Sequence, residues 1–174
     1  EIRLSLVGWE MCIRDRQETE QFNVLNYGYL YNGGGVAIGD INDDGFSDIY
    51  FTGNMVGSRL YLNQGNFKFK EIAEQAGVFA SGLWNTGTTM ADVNGDGFDD
   101  LIVGAYQADP NGNDASGSSY VVFGTTDTTA IELSDLEAGI GNGFVINGVD
   151  VNDNSGFSVS GAGDINGDGL DDVI

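Results

Sequence analysis

Asp92-Val93-Asn94-Gly95-Asp96-Gly97-Phe98-Asp99-Asp100 is the stretch whose reading decides the fold. It returns as Asp40-Ile41-Asn42-Asp43-Asp44-Gly45-Phe46-Ser47-Asp48, and again as Asp164-Ile165-Asn166-Gly167-Asp168-Gly169-Leu170-Asp171-Asp172. In every copy, oxygen-bearing side chains stand at positions 1, 3, 5 and 9, and glycine stands at position 6. That alternation suits a hard cation. Ca²⁺ takes roughly six to eight oxygens, and a tight loop supplies them from alternate residues plus a backbone carbonyl near position 7. The glycine allows the positive φ that turns the ligands inward.

The flanks say what kind of loop this is. Val36-Ala37-Ile38-Gly39 enters the first copy and Asp48-Ile49-Tyr50-Phe51-Thr52 leaves it. Both are short, β-branched or aromatic, and bounded by glycine, so they read as strands. The acidic stretch is then a hairpin connection. Arg59-Leu60-Tyr61-Leu62 reads as a third strand and Phe67-Lys68-Phe69-Lys70-Glu71-Ile72 as a fourth, followed by a turn over Ala73 to Gly77. The pattern restarts with Thr88-Thr89-Met90-Ala91, Leu101 to Tyr106, Tyr120 to Gly124 and Phe144-Val145-Ile146. Gly156 to Gly163 opens a third unit before the third loop. The second unit is longer and absorbs insertions over 107–119 and 125–142, the latter a Thr/Asp/Glu-rich connection.

Four antiparallel strands per repeat of roughly 40–50 residues is the signature of a β-propeller blade. The fold class expected is all-β, a propeller fragment of four-stranded blades with cation-binding hairpin loops. One blade cannot bury both faces alone, so its neighbours must cover them. The expected division is blade 1 over 31–82, blade 2 over 83–150 and the start of blade 3 over 151–174. Residues 17–30 read as a lead-in strand or linker. Residues 1–16 hold half the bases and the only cysteine, Cys12. Ser5 to Arg16 resembles the conceptual translation of a sequencing adapter, and it is set aside from the fold. Both chain ends read as truncated.

Composition removes several functions. The 174 residues carry 27 acids against 6 bases, a formal charge of −21, and no base follows Lys70. Such a surface repels nucleic acid and anionic lipid and attracts metal cations. Acidity also keeps a protein soluble in salty media, but that does not explain the spacing of the acids. With no histidine and one cysteine, Ser-His-Asp and Cys-His catalysis, Cys/His zinc sites and internal disulfides are excluded. No apolar run approaches the ~20 residues of a membrane span.

Rival readings of the motifs are weaker. Asn, Asp and Gly are default turn residues, yet solvated turns would not repeat this spacing three times between strands. A helical calcium hand requires a bidentate Glu at position 12, where Phe51 and Val103 stand. A glycosidase needs two separated carboxylates, whereas these acids are packed on a ligand-like spacing. Gly33-Gly34-Gly35 and Gly161-Ala162-Gly163 complete no phosphate-loop motif and read as points of close strand approach. Trp84, Tyr27, Tyr29 and Tyr31 read as inter-blade packing rather than a sugar-binding face.

The three loops, Gly156-Phe157 ahead of the third, and Val103-Gly104-Ala105-Tyr106 at a strand end resemble the FG-GAP repeats of the integrin α-subunit propeller and their bacterial relatives. The first unit, Gly33 to Val78, is more similar to the VCBS or ASPIC/UnbV variant. The resemblance covers about residues 31–174. It implies one Ca²⁺ per loop, up to three ions. Asp40, Asn42, Asp44 and Asp48 with the Phe46 carbonyl would hold the first. Asp92, Asn94, Asp96 and Asp100 with the Phe98 carbonyl would hold the second. Asp164, Asn166, Asp168 and Asp172 with the Leu170 carbonyl would hold the third. Asp43, Asp99 and Asp171 fall between ligand positions and are expected to face solvent. The resemblance further implies a non-catalytic, calcium-binding adhesion module that takes a protein or glycan ligand. Its place would be extracellular or on the cell surface, as in a secreted bacterial protein. The alternative is an accessory propeller of a secreted hydrolase- or phospholipase-type enzyme.

Overall fold

A computed structural model describes residues 34–53, 56–80, 85–127 and 133–174. Residues 1–16 and 17–30, together with Trp84, Tyr27, Tyr29 and Tyr31, lie outside the described residues. Among the described residues, ten strands form three antiparallel sheets. The first sheet contains β1 (Val36–Gly39), β2 (Asp48–Phe51), β3 (Arg59–Asn63) and β4 (Phe69–Glu71), in that spatial order. The second contains β5 (Thr88–Ala91), β6 (Asp100–Ala105), β7 (Ser118–Val122) and β8 (Gly143–Asn147), again in order. β9 (Gly161–Gly163) and β10 (Asp172–Val173) form a third, two-stranded sheet. Each strand pairs with its neighbour in the chain, which is the meander expected from the sequence. The architecture is all-β and of the propeller-blade type.

Departures from the expected strands have local causes. β4 starts at Phe69 rather than Phe67, because Asn66 and Phe67 take φ of 52° and 56° in the preceding turn. β7 ends at Val122. Beyond it, the Phe123 N–H turns to the Asn142 carbonyl and the Gly124 N–H to the Asp100 carboxylate. At the opening of the third unit, Gly156 takes φ of 78°, and of the stretch Gly156 to Gly163 only Gly161–Gly163 is strand. A short helix, α1 (Leu133–Glu137), lies in the Thr/Asp/Glu-rich connection. It is held in part by the Tyr120 hydroxyl, which donates to Glu137 Oε1 at 2.6 Å.

Period-2 alternation sorts the side chains onto two faces per sheet. On the first sheet, Ala37, Tyr50 and Leu60 share one face. On the second, Leu101, Val103, Tyr120 and Val122 share one face. These two faces form a single buried core, with Ala73, Val78, Ala105 and Leu136. The Tyr50 hydroxyl, fully buried, donates to the Val78 carbonyl at 2.8 Å. Ala91, Ile102 and Val121 point the other way and pack with Val159 and Val173 of the third unit. The second sheet is therefore covered on both faces, and β6 is buried along its whole length. The outer face of the first sheet carries Val36 and Ile38, which are 51% and 62% exposed.

β1 lies against β5, and β5 against β9, so the first strands of successive units sit side by side. The Gly35 N–H donates to the Thr86 carbonyl at 3.1 Å. A Cβ on Gly35 would fall 2.7 Å from that carbonyl oxygen, so the approach requires glycine. This supports the reading of the first glycine run as a point of close approach. At Gly161 the nearest atom would be 3.5 Å away, an ordinary contact, so the second run does not need glycine there for that reason.

Leu101 is fully buried in the shared core, and Ile38 is 62% exposed. Leu101→Ala should lower the unfolding free energy by about 2–5 kcal/mol. Ile38→Ala should cost less than about 1 kcal/mol. Urea denaturation of the two variants checks the contrast.

Candidate metal centre

Each acidic loop is wound by its own side chains. Asp40 at position 1 accepts from the N–H groups of Asp44 at 3.1 Å and Gly45 at 2.7 Å. Asp92 accepts from Gly95 at 2.7 Å and Gly97 at 3.0 Å. Asp164 accepts from Gly167, Asp168 and Gly169 at 2.6, 3.0 and 2.9 Å. The position-3 amide oxygens of Asn42, Asn94 and Asn166 accept from the position-5 N–H at 3.3, 2.8 and 2.9 Å. Position-5 carboxylates then accept from Phe46, Phe98 and Leu170, each at 2.9 Å. These are Asx turns, in which a short acceptor bonds the backbone two residues on.

Backbone handedness follows the same register. The position-6 glycines Gly45, Gly97 and Gly169 take φ of 83°, 92° and 90°. Position 6 takes the role expected of its glycine, and position 4 shares it. Asp43, Gly95 and Gly167 take φ of 53°, 75° and 78°.

The position-9 aspartates tie each loop to its sheet. Asp48 is fully buried and takes the Ile41 N–H at 3.2 Å on one oxygen. Its other oxygen takes the Asn63 N–H, at the end of β3, at 2.7 Å. Asp100, also fully buried, takes the Val93 N–H at 3.0 Å and the Gly124 N–H at 2.9 Å. Asp172 takes the Ile165 N–H at 2.8 Å. The anchoring of these carboxylates to the third strand was not anticipated from the sequence, because Asn63 and Gly124 reach them through backbone N–H groups.

Burial pushes the carboxyl groups of Asp48 and Asp100 up to about 6. The two N–H donors at each site oppose the rise. Asp44 and Asp40 add to it at Asp48, and Asp96 and Asp92 at Asp100. The acids at positions 1, 5 and 9 of these two loops thus share one electrostatic field. Among the described residues no Lys or Arg forms an ion pair with a loop carboxylate.

The donor set fits a hard cation. It is all oxygen, it has no basic counter-charge, and an ionised carboxylate keeps lone pairs beyond those given to one N–H. The carbonyls of Phe46, Phe98 and Leu170 accept no hydrogen bond among the described residues. Among those residues, however, no three Asp, Glu, His or Cys side chains are gathered as a ready cage. The position-1 and position-5 carboxylates are turned onto their own loop's N–H groups instead.

Asp99 corrects one expectation. It does not face solvent but is half-buried between the first two loops. Its Oδ2 accepts from the Asp40 N–H at 2.6 Å, and its own N–H donates to the Asp40 carbonyl at 3.0 Å. The Asp171 N–H makes the matching bond to the Asp92 carbonyl at 3.0 Å. Asp43 is exposed, as expected. An apolar cleft of about 190 Å³ opens beside the first loop, lined by Ile41, Leu60, Leu62, Ile72, Val122 and Phe123 among others.

Residues 40–103, which hold the first two loops, match the model of the FG-GAP-like repeat family. The chain carries FG-GAP/integrin α-like repeats. It is 30% identical over 176 residues to integrin alpha pat-2 of Caenorhabditis briggsae, a match covering 82% of this chain and 13% of the relative. It is 28% identical over 172 residues to integrin alpha pat-2 of Caenorhabditis elegans, with the same two coverages. The FG-GAP chain therefore spans a small part of the curated relatives it matches. Among its described residues no helix is long and apolar enough to cross a membrane.

The raised carboxyls set a pH dependence. An acid whose folded value lies above its unfolded one stabilises the fold at low pH and loses that contribution as pH rises. In chelator, the melting temperature of the FG-GAP chain should fall as pH rises from 3.8 to about 6, the window set by Asp48 and Asp100. Thermal melts in EGTA across that window check the sign. Gly97→Ala should destabilise by about 1–2 kcal/mol through backbone strain alone, since no atom lies within 4 Å of the added Cβ. Denaturant melts of that variant measure the cost.

Proposed function

We propose that this chain is a calcium-stabilised, non-catalytic FG-GAP module of an extracellular or cell-surface protein, serving adhesion through a protein or glycan ligand. The observation that carries the calcium reading is the threefold loop: the same oxygen donors at positions 1, 3, 5 and 9, each accepting the same backbone N–H, of positions 6, 5, 7 and 2 in turn, in all three copies. Asp40, Asn42, Asp44, Asp48 and the Phe46 carbonyl would hold one ion. Asp92, Asn94, Asp96, Asp100 and the Phe98 carbonyl would hold a second. Asp164, Asn166, Asp168, Asp172 and the Leu170 carbonyl would hold a third. The ion would supply the positive charge that no side chain among the described residues provides.

Two carboxylates about 4 Å apart repel by roughly 4 kcal/mol at an effective dielectric of ~20. Neutralising such a set couples metal binding to folding. Affinity in the extracellular range, on the order of 10⁻⁴–10⁻³ M, suits a loop of this kind. The absence of histidine supports a non-catalytic role. So does the use of the loop carboxylates as acceptors of backbone N–H groups. The adhesion and surface reading is supported by the family match and by the two integrin alpha relatives.

Calcium should raise the melting temperature, and chelation should reverse the rise. At free calcium a hundredfold above Kd, each site should add about 2.7 kcal/mol. Asp96→Ala should abolish binding at the second loop. A melting curve indifferent to both calcium and EGTA would sink the reading.

A further inference from the structure

The first two loops touch through Asp99, a residue at a position with no assigned role. Its Oδ2 accepts the N–H of Asp40, the first residue of the neighbouring loop, at 2.6 Å. The bond is paired with a reciprocal one, from the Asp99 N–H to the Asp40 carbonyl at 3.0 Å. Asp40 is thus gripped from both sides of its own peptide group by a single residue of the next unit. A third bond, from the Thr125 N–H to the Ile41 carbonyl at 3.1 Å, holds the following residue to the same unit. The backbone of the first loop is set by its neighbour at its first two positions.

The sequence leaves room for this grip. Gly39 precedes Asp40, and a Cβ there would fall 2.6 Å from Asp99 Oδ2 and 2.8 Å from the Met90 side chain. At the next junction Ala91 stands in the corresponding place before Asp92. There the backbone bond from Asp171 to Asp92 recurs, and the structure records no matching side-chain bond among the described residues. The side-chain strut is a property of the first junction.

We infer that Asp99 is a positioning residue for the cation site of the preceding loop: its carboxylate fixes the Asp40 backbone, and so couples the first site to the integrity of the second loop. The inference rests on the calcium reading of the loops. Partners that orient a metal ligand typically carry 10–100-fold in affinity. The sites would then not be independent, because a change in the second loop reaches the first through one hydrogen bond. Negative charge on Asp99 would also attract a cation, so charge and positioning must be separated. Asn at 99 keeps an oxygen acceptor and drops the charge, whereas Ala removes both.

The test is a calcium titration of the ¹⁵N-labelled 174-residue chain, compared with Asp99→Asn, Asp99→Ala and Gly39→Ala. The Gly45, Gly97 and Gly169 amides, each bonded to its loop's first carboxylate, report the three sites separately. Hydrogen exchange of the Asp40 amide in EGTA reads the strut without any metal. Asp99→Ala should weaken calcium at the first loop about tenfold, leave the third loop unchanged, and speed Asp40 exchange about tenfold. Gly39→Ala should reproduce both effects from the other side of the contact. Asp99→Asn should restore first-loop affinity to within about threefold and keep Asp40 protected. Equal losses in Asp99→Asn and Asp99→Ala would assign the effect to charge and overturn the inference. A greater loss at the second loop than at the first would overturn it too, since Asp99 would then serve its own loop. If calcium moves none of the three glycines in the parent chain, the calcium reading itself fails and Asp40 exchange alone decides the strut.

Discussion

The structure depends on two buried carboxylates. Asp48 and Asp100 each sit at the foot of a strand, out of water, with one oxygen on the N–H that opens the loop and the other on an N–H at or just past the end of the third strand. Removing a carboxylate from water is expensive unless hydrogen bonds or an opposite charge compensate. The two N–H donors give part of that compensation, and the acids at positions 1 and 5 work against it. The arrangement is under electrostatic load, yet it is what joins hairpin loop, second strand and third strand into one unit. A hard cation in the loop would turn the same load into cohesion.

Much of the fold was legible because its signals are local. Val36–Gly39 and Thr88–Ala91 are short runs bounded by acidic loops, and a meander needs only neighbour pairing. The glycine at position 6 announced its positive φ through the lack of any alternative residue in three copies. What escaped the sequence acts through backbone or across units. Asn63 and Gly124 serve Asp48 and Asp100 by their N–H groups, which every residue but proline offers. Phe67 adopts a left-handed conformation that its residue type does not advertise. Helix α1 hid in a stretch whose composition resembled a connection.

Asp99 escaped for a different reason. Within its own loop, position 8 points between ligand positions, so a reading confined to one repeat sends it to solvent. Its partner lies 59 residues away in the chain, on the preceding loop. The one available hint was the glycine before Asp40, where the second loop has Ala91. Repeat proteins place part of their information in the junction between units, and a motif aligned only against its own copies omits that part.

The bonds between the first strands of successive units have a mechanical consequence. At one end Gly35 is tied to Thr86, and at the other Asp99 is tied to Asp40. The first unit is thus stitched to the second near both ends of β1, like pages sewn along a spine. The apolar cleft lies beside the first loop, between Ile41, side chains of β3 and the exit of β7. A stack bound in this way resists one unit sliding along the next and yields most readily to fanning at the fore-edge. Small changes in the angle between leaves can then be absorbed at the outer margin while the acidic loops, sewn into the spine, keep their spacing.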